Sequence, residues 1–210
     1  VTLPPPSALV RGEEEVGARA SLRARMRPLA ALMVLGLELL SVASLVAREL
    51  QRRTVIAVLA TPATALDWLL SKLIFGAIVA FAQATLLLVL IGAIFTAPGQ
   101  MLALVALGTL LFTGFGLLAG ARARDFTEVL FFSFLLLVPA LIPAFAALIP
   151  GPTHALVKAL PTYPLAVAFL QAGEGATWAA ILPQMAATAA WLVAIVGAGA
   201  LALRRALRRL

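Results

Sequence analysis

"LIFGAIVAFAQATLLLVLIGAIFT", residues 73–96, carries no charged side chain and as a helix exceeds the roughly 20 residues needed to cross about 30 Å of hydrocarbon. Four runs of the same kind lie around it, at 29–47, 101–121, 129–149 and 178–203. Soluble domains are roughly half apolar and about a quarter charged. This chain is 63% hydrophobic and 12% charged, with the apolar residues in blocks. The fold class is therefore an all-α membrane protein with five transmembrane helices. The alternation of a membrane barrel is missing.

Just upstream, "RELQRRTVIAVLATPATALDWLLSK" (48–72) is the most polar stretch between two apolar runs. The first span is expected to end at Ala47, followed by a charged turn. "TVIAVLA" is apolar but too short to cross, which suits an interfacial or partner-docking helix. Thr61 and Pro62 break it, since proline disfavours helix at the residue before it and lacks an N–H of its own. Thr64 with Asp67 three residues later has capping-box form and opens a new helix, which passes Trp68 at the membrane surface and becomes the second span. The result is an elbow of two helices joined at a proline turn. The alternative is an ordinary loop whose arginines only set orientation.

Charge fixes the expected orientation. With the carboxyl terminus inside, Arg48, Arg52, Arg53, Lys72, Arg122, Arg124, Arg204, Arg205, Arg208 and Arg209 all lie on the cytoplasmic side, while the outer loops after the first span contain only Lys158. The net charge of +7 is thus topological, and no nucleic-acid partner is expected. Arg23, Arg25 and Arg27 fall on the wrong side in this scheme. Either a helix precedes Val1 in the full protein, or these arginines of a five-span chain meet a partner or lipid headgroups. Residues 1–28, Pro-rich and then "EEE", read as a flexible polar segment, and 29–210 as the membrane domain.

Further along, Asp125 and Glu128 again have capping-box form, opening the fourth span after a tight turn. Two short apolar runs, 154–160 and 164–171, fit re-entrant or surface-lying half-helices on the outer face, forming either an exit vestibule or a passive cap. Trp178 marks the return interface. Pro139 and Pro143 should bend the fourth span, as a gate or by packing alone. Gly116 and Gly120 permit close helix contact. Glu38 is the acid nearest the middle of a span. It is a candidate for the translocation path or a dimer seam, against a carboxyl satisfied locally with Ser41 on the same face.

No phosphate-binding G-x-x-x-x-G-K-[ST] run, H-E-x-x-H or G-x-S-x-G occurs, there is no cysteine, and His154 is the single histidine. Catalytic, cofactor-binding and metal-ligating residues are expected to be absent from this chain, which is read as no enzyme in itself.

The stretch "ARELQRRTVIAVLATPATALDWLLSKLIFG" resembles the signature of the ABC type-2 exporter permeases. In them an Arg-Glu pair leaves one membrane helix, and a short helix, a Thr-Pro turn and a Gly-Lys-like start of the next helix follow. The matching residues are Arg48, Glu49, Thr54, Leu59, Thr61, Pro62 and Lys72, with Gln83 one helix further on; Arg53 and Ser71 stand where glycines are usual. The haem-exporter permeases are similar in design. The resemblance runs from about residue 28 to the carboxyl terminus. It implies six helices where five are seen, and a cytoplasmic coupling elbow, including Arg52 and Arg53, pressed into a separate ATPase subunit. That partner would hold the ATP and Mg. The permease would work with a second copy or a paralogue in a cell (inner or plasma) membrane. Rival readings are an ATPase-independent transporter or channel, and a membrane scaffold. The apolar spans lean toward lipids, drugs or other amphipathic cargo.

Overall fold

The structure is a computed structural model, and it describes residues 22–52, 62, 64–146, 148–149 and 154–207. Seven α-helices follow one another among these residues: α1 (Leu22–Gln51), α2 (Ala65–Leu90), α3 (Pro98–Arg122), α4 (Phe126–Ala146), α5 (Ala155–Lys158), α6 (Tyr163–Gly173) and α7 (Trp178–Leu207). Five of them, α1 to α4 and α7, are long and apolar enough to cross a membrane. The chain is a multi-pass membrane protein.

Helix α3 is the axis of the bundle. About 67% of its span is buried within the protein, against 17% for α7, and α1, α2, α4, α6 and α7 all pack on it. Water does not drive association inside a bilayer, so close packing and hydrogen bonds must do so. The α1–α3 contact shows how. Gly108 faces Leu35, Gly116 faces Leu39 and Val42, and Gly120 faces Ala43 and Val46. The numbers rise together along both helices, so α1 and α3 run parallel. At Gly116 and Gly120 the α3 backbone approaches carbonyl oxygens of α1 so closely that an added Cβ would lie 2.8 Å and 2.6 Å from them. The close contact expected of this glycine pair is present.

Span limits differ from the apolar runs in two instructive ways. Helix α1 continues past Ala47 to Gln51, so "RELQ" forms its last turn instead of a loop. Helix α2 starts at Ala65 and stops at Leu90, well before the apolar run ends at Thr96. Gly92 closes it in the left-handed region (φ 69°), with Ala93 N–H donating to the Leu88 carbonyl and Gly92 N–H to that of Val89. This paired closure satisfies carbonyls that a helix end leaves open. Ala93 and Ile94 then turn inward to the core, which is why the sequence stays apolar after the helix has ended. At the other end of the chain's membrane domain, residues 22–28, assigned above to the polar amino-terminal segment, belong to the first turns of α1.

The half-helices between the last two spans are α5 and α6. Helix α6 does not lie on the surface: Leu165, Ala166, Ala168, Phe169 and Ala172 join the main core. The preceding Thr162, fully buried, donates its hydroxyl to the Ala140 carbonyl at 2.7 Å. That carbonyl follows Pro139, whose own carbonyl is left without its helical donor by Pro143 four residues on. The re-entrant segment is thereby pinned to the proline-broken part of the fourth span.

Candidate functional site

The arginine-rich end of the bundle is where the elbow begins and ends. Arg48 and Glu49 lie on the last turn of α1 and point in different directions. Arg48 is exposed, while Glu49 turns toward α2. Its Oε1 is 2.6 Å from Lys72 Nζ, and its Oε2 accepts the indole N–H of Trp68 at 3.0 Å. Lys72 and Trp68 are one helical turn apart on α2, so one carboxylate reaches both, and the Lys72 ammonium also sits 6.0 Å from the Trp68 ring centroid.

Trp68, expected at the depth of the membrane surface, is only 5% exposed within the protein, packed with Val46, Leu50, Leu69, Leu73 and Leu117. The ring fills the space between α1, α2 and α3, and its N–H finds Glu49 because a buried indole donor left unpaired is costly. With both charged groups only about a quarter exposed, the pair operates in a weaker dielectric than water. Glu49 is thus a clamp that holds the outgoing end of α1 to the incoming end of α2.

The start of α2 is set locally. Thr64 Oγ1 accepts from Asp67 N–H at 3.2 Å, and Asp67 Oδ2 accepts from Thr64 N–H at 2.8 Å, the reciprocal pairs of a capping box. Thr64→Ala is expected to cost about 1 kcal/mol and to speed amide exchange in the first turn of α2, measured by hydrogen–deuterium exchange, while α3 stays protected.

A second tether fixes the neighbouring turn. Gln51 Nε2 donates to the Arg124 carbonyl at 3.0 Å, joining the end of α1 to the α3–α4 turn. In that turn Asp125 Oδ1 accepts from Glu128 N–H, and Glu128 Oε2 accepts from Arg124 N–H, both at 2.7 Å. The capping pair predicted at Asp125 and Glu128 is formed, with the Glu128 side chain reaching one residue further back than a standard box.

Arg52 and Pro62 are exposed at the two edges of the elbow. Arg53, Thr54, Leu59 and Thr61, also assigned to it, lie outside the described residues. The four residues assigned to the path or seam differ in burial. Gln83 is exposed on α2, Pro139 is half-buried and Pro143 buried in α4, and Glu38 is 4% exposed within α1. Ser41 does not satisfy Glu38: it is exposed and its hydroxyl donates to the Leu37 carbonyl at 3.2 Å. On α3 the Thr113 hydroxyl is buried, with no hydrogen-bond partner among the described residues.

What reasoning from sequence missed is the partnership of Glu49 with Trp68 and Lys72, and the reach of Gln51 to Arg124. A signal did exist for the first. An acid on the last turn of one span and a lysine on the first turns of the next are brought together whenever the two spans form an antiparallel pair.

Among the described residues no group of three or more His, Cys, Asp or Glu side chains that could hold a metal ion occurs. The end of α1 and the start of α2 are locked together by Glu49, Trp68 and Lys72. Comparison with curated proteins and with solved structures gives no match. The family model described as ABC-2 family transporter protein matches residues 28–201, and the chain belongs to that family.

Proposed function

We propose that this chain is the membrane-spanning subunit of an ATP-driven exporter, and that the segment between α1 and α2 is its coupling elbow. The observation that carries this reading is the Glu49 clamp: Lys72 and Trp68 of α2 bind one carboxylate of α1 at the base of the elbow. A segment serving only as a connection has no need of such a lock. Family membership supports the rest. A separate cytoplasmic ATPase subunit holds ATP and Mg, and docks on the elbow. A second copy of the chain or a paralogue completes the path. The arginine-rich end faces the cytoplasm of a cell membrane, because cationic residues are retained on that side. The cargo is a lipid, a drug or another amphipathic molecule.

Reversing charge where the segment leaves α1 tests this. Arg52→Glu with Arg53→Glu is expected to abolish co-purification of the ATPase partner, while the permease itself still extracts from membranes as a folded protein. Transport by the isolated chain, without ATPase or ATP, would contradict the reading.

A further inference from the structure

Beside the clamp, and separate from it, a cleft of about 980 Å³ opens at the arginine-rich end between α1, α3, α4 and α7. That is at the upper end of the roughly 300–1,000 Å³ typical of small-molecule sites. Its chemistry is divided. One part presents Arg122, Arg124 and Arg205, all exposed, against the single acid Glu128. Glu128 is already engaged by the Arg124 N–H. Among the described residues none of these three arginines is paired with a carboxylate. Arg122 rests instead with its guanidinium 6.0 Å from the Phe132 ring centroid. The other part is apolar, made by Leu118, Ala198, Leu201 and Ala202.

We propose that this cleft binds an anionic phospholipid, its phosphate among Arg122, Arg124 and Arg205 and its acyl chains along α7. Two facts select a lipid over a soluble anion. Helix α7 is the least buried of the spans, and Leu201, part of the apolar lining, is 56% exposed, so the cleft opens sideways to the hydrocarbon. Arg122 ends α3, Arg124 follows in the α3–α4 turn, and Arg205 lies in the last turn of α7, so all three stand at the end of spans, where cationic side chains meet headgroups. Guanidinium groups can grip a phosphate through two parallel N–H donors each, which a zwitterionic headgroup resists because it brings its own cation. The proposal does not depend on the exporter reading. A lipid seated here bridges the α3–α4 turn and the carboxyl-terminal helix.

The test is native mass spectrometry of the delipidated, detergent-purified chain titrated with phosphatidylglycerol, phosphatidylcholine or inorganic phosphate. Phosphatidylglycerol is expected to bind at least about tenfold more tightly than phosphatidylcholine, and Arg122→Gln with Arg205→Gln to lower its affinity roughly twenty-five-fold, near fivefold per arginine. Lys158→Gln, at the opposite end of the bundle, leaves it unchanged. Ala198→Trp, which fills the apolar part and keeps every charge, is expected to weaken phosphatidylglycerol retention as well. Equal retention of the two lipids, or displacement of phosphatidylglycerol by equimolar inorganic phosphate, would overturn the proposal. So would a double arginine variant that keeps its lipid but loses a co-purifying protein, since the cleft would then be a protein-docking surface.

Discussion

Gly120→Val is expected to prevent α1 and α3 from docking and to leave little folded protein in the membrane. A Cβ at this position meets the Ala43 carbonyl oxygen at 2.6 Å and the Val46 Cβ at 2.8 Å. Neither atom can step aside by a rotamer change, because one is backbone and the other is fixed directly to it. The helices must separate along their most extensive contact, and Gly116 one turn away meets the Leu39 carbonyl at 2.8 Å in the same manner. Overpacking that a side chain can absorb costs roughly 1–3 kcal/mol; with backbone on both sides the cost should reach about 3 kcal/mol or more. Gly197→Val, on α7 with nothing within 4 Å of an added Cβ, is the matching control. Thermal unfolding of the two variants in detergent measures the difference: a Gly120→Val protein that melts with Gly197→Val would show that the α1–α3 approach is not what holds the bundle.

Glu49→Ala is expected to have the second large effect, this time on both stability and coupling. Removal of the carboxylate leaves the Lys72 ammonium and the Trp68 indole N–H without the partner they share, at 22% exposure for the lysine and 5% for the tryptophan. Stranding a buried donor and a half-buried charge costs about 2 kcal/mol. Hydrogen–deuterium exchange should rise at the end of α1 and the start of α2, with α6 unaffected. On the coupling account, the ATPase partner stays bound while ATP-dependent transport falls about tenfold or more, as a push on the elbow no longer moves both helices. Glu49→Gln, which can still accept from the indole but offers no charge to Lys72, should fall between the two. Normal transport by Glu49→Ala in a folded complex would remove the clamp from the mechanism.

The five spans were legible because each carries its own signal in its own residues. A block without charge is read without knowing what it touches. The limits of α2 were not, since the core continues through Ala93 and Ile94 after the helix has stopped at Leu90. An apolar run records burial and cannot by itself separate a helix from a buried turn. Gly92 was the one mark of the break. The same division holds at the site. Thr64 with Asp67, and Asp125 with Glu128, are contacts over three residues and could be read directly. Glu49 with Trp68 and Lys72 spans the whole elbow, and Gln51 reaches Arg124 across two further helices. Such pairs depend on how spans pack, which no local pattern encodes. The buried position of Trp68 belongs with these. A tryptophan beside a lysine at the start of a span reads as an interfacial anchor, and only the packed bundle turns it inward.

The central claim is that the segment between α1 and α2 carries force from an ATPase to the bundle, and one position tests it most directly. The chain has no cysteine, so Pro62→Cys gives a single thiol on the exposed turn of the elbow without further engineering. In sealed inside-out vesicles containing the permease and its ATPase, a short thiol–amine crosslinker should join position 62 to the ATPase, with a yield that changes when ATP is added. If that thiol instead reacts only with impermeant reagents applied to the outside of intact cells, and never crosslinks to the ATPase, the segment faces away from the motor and the account is wrong.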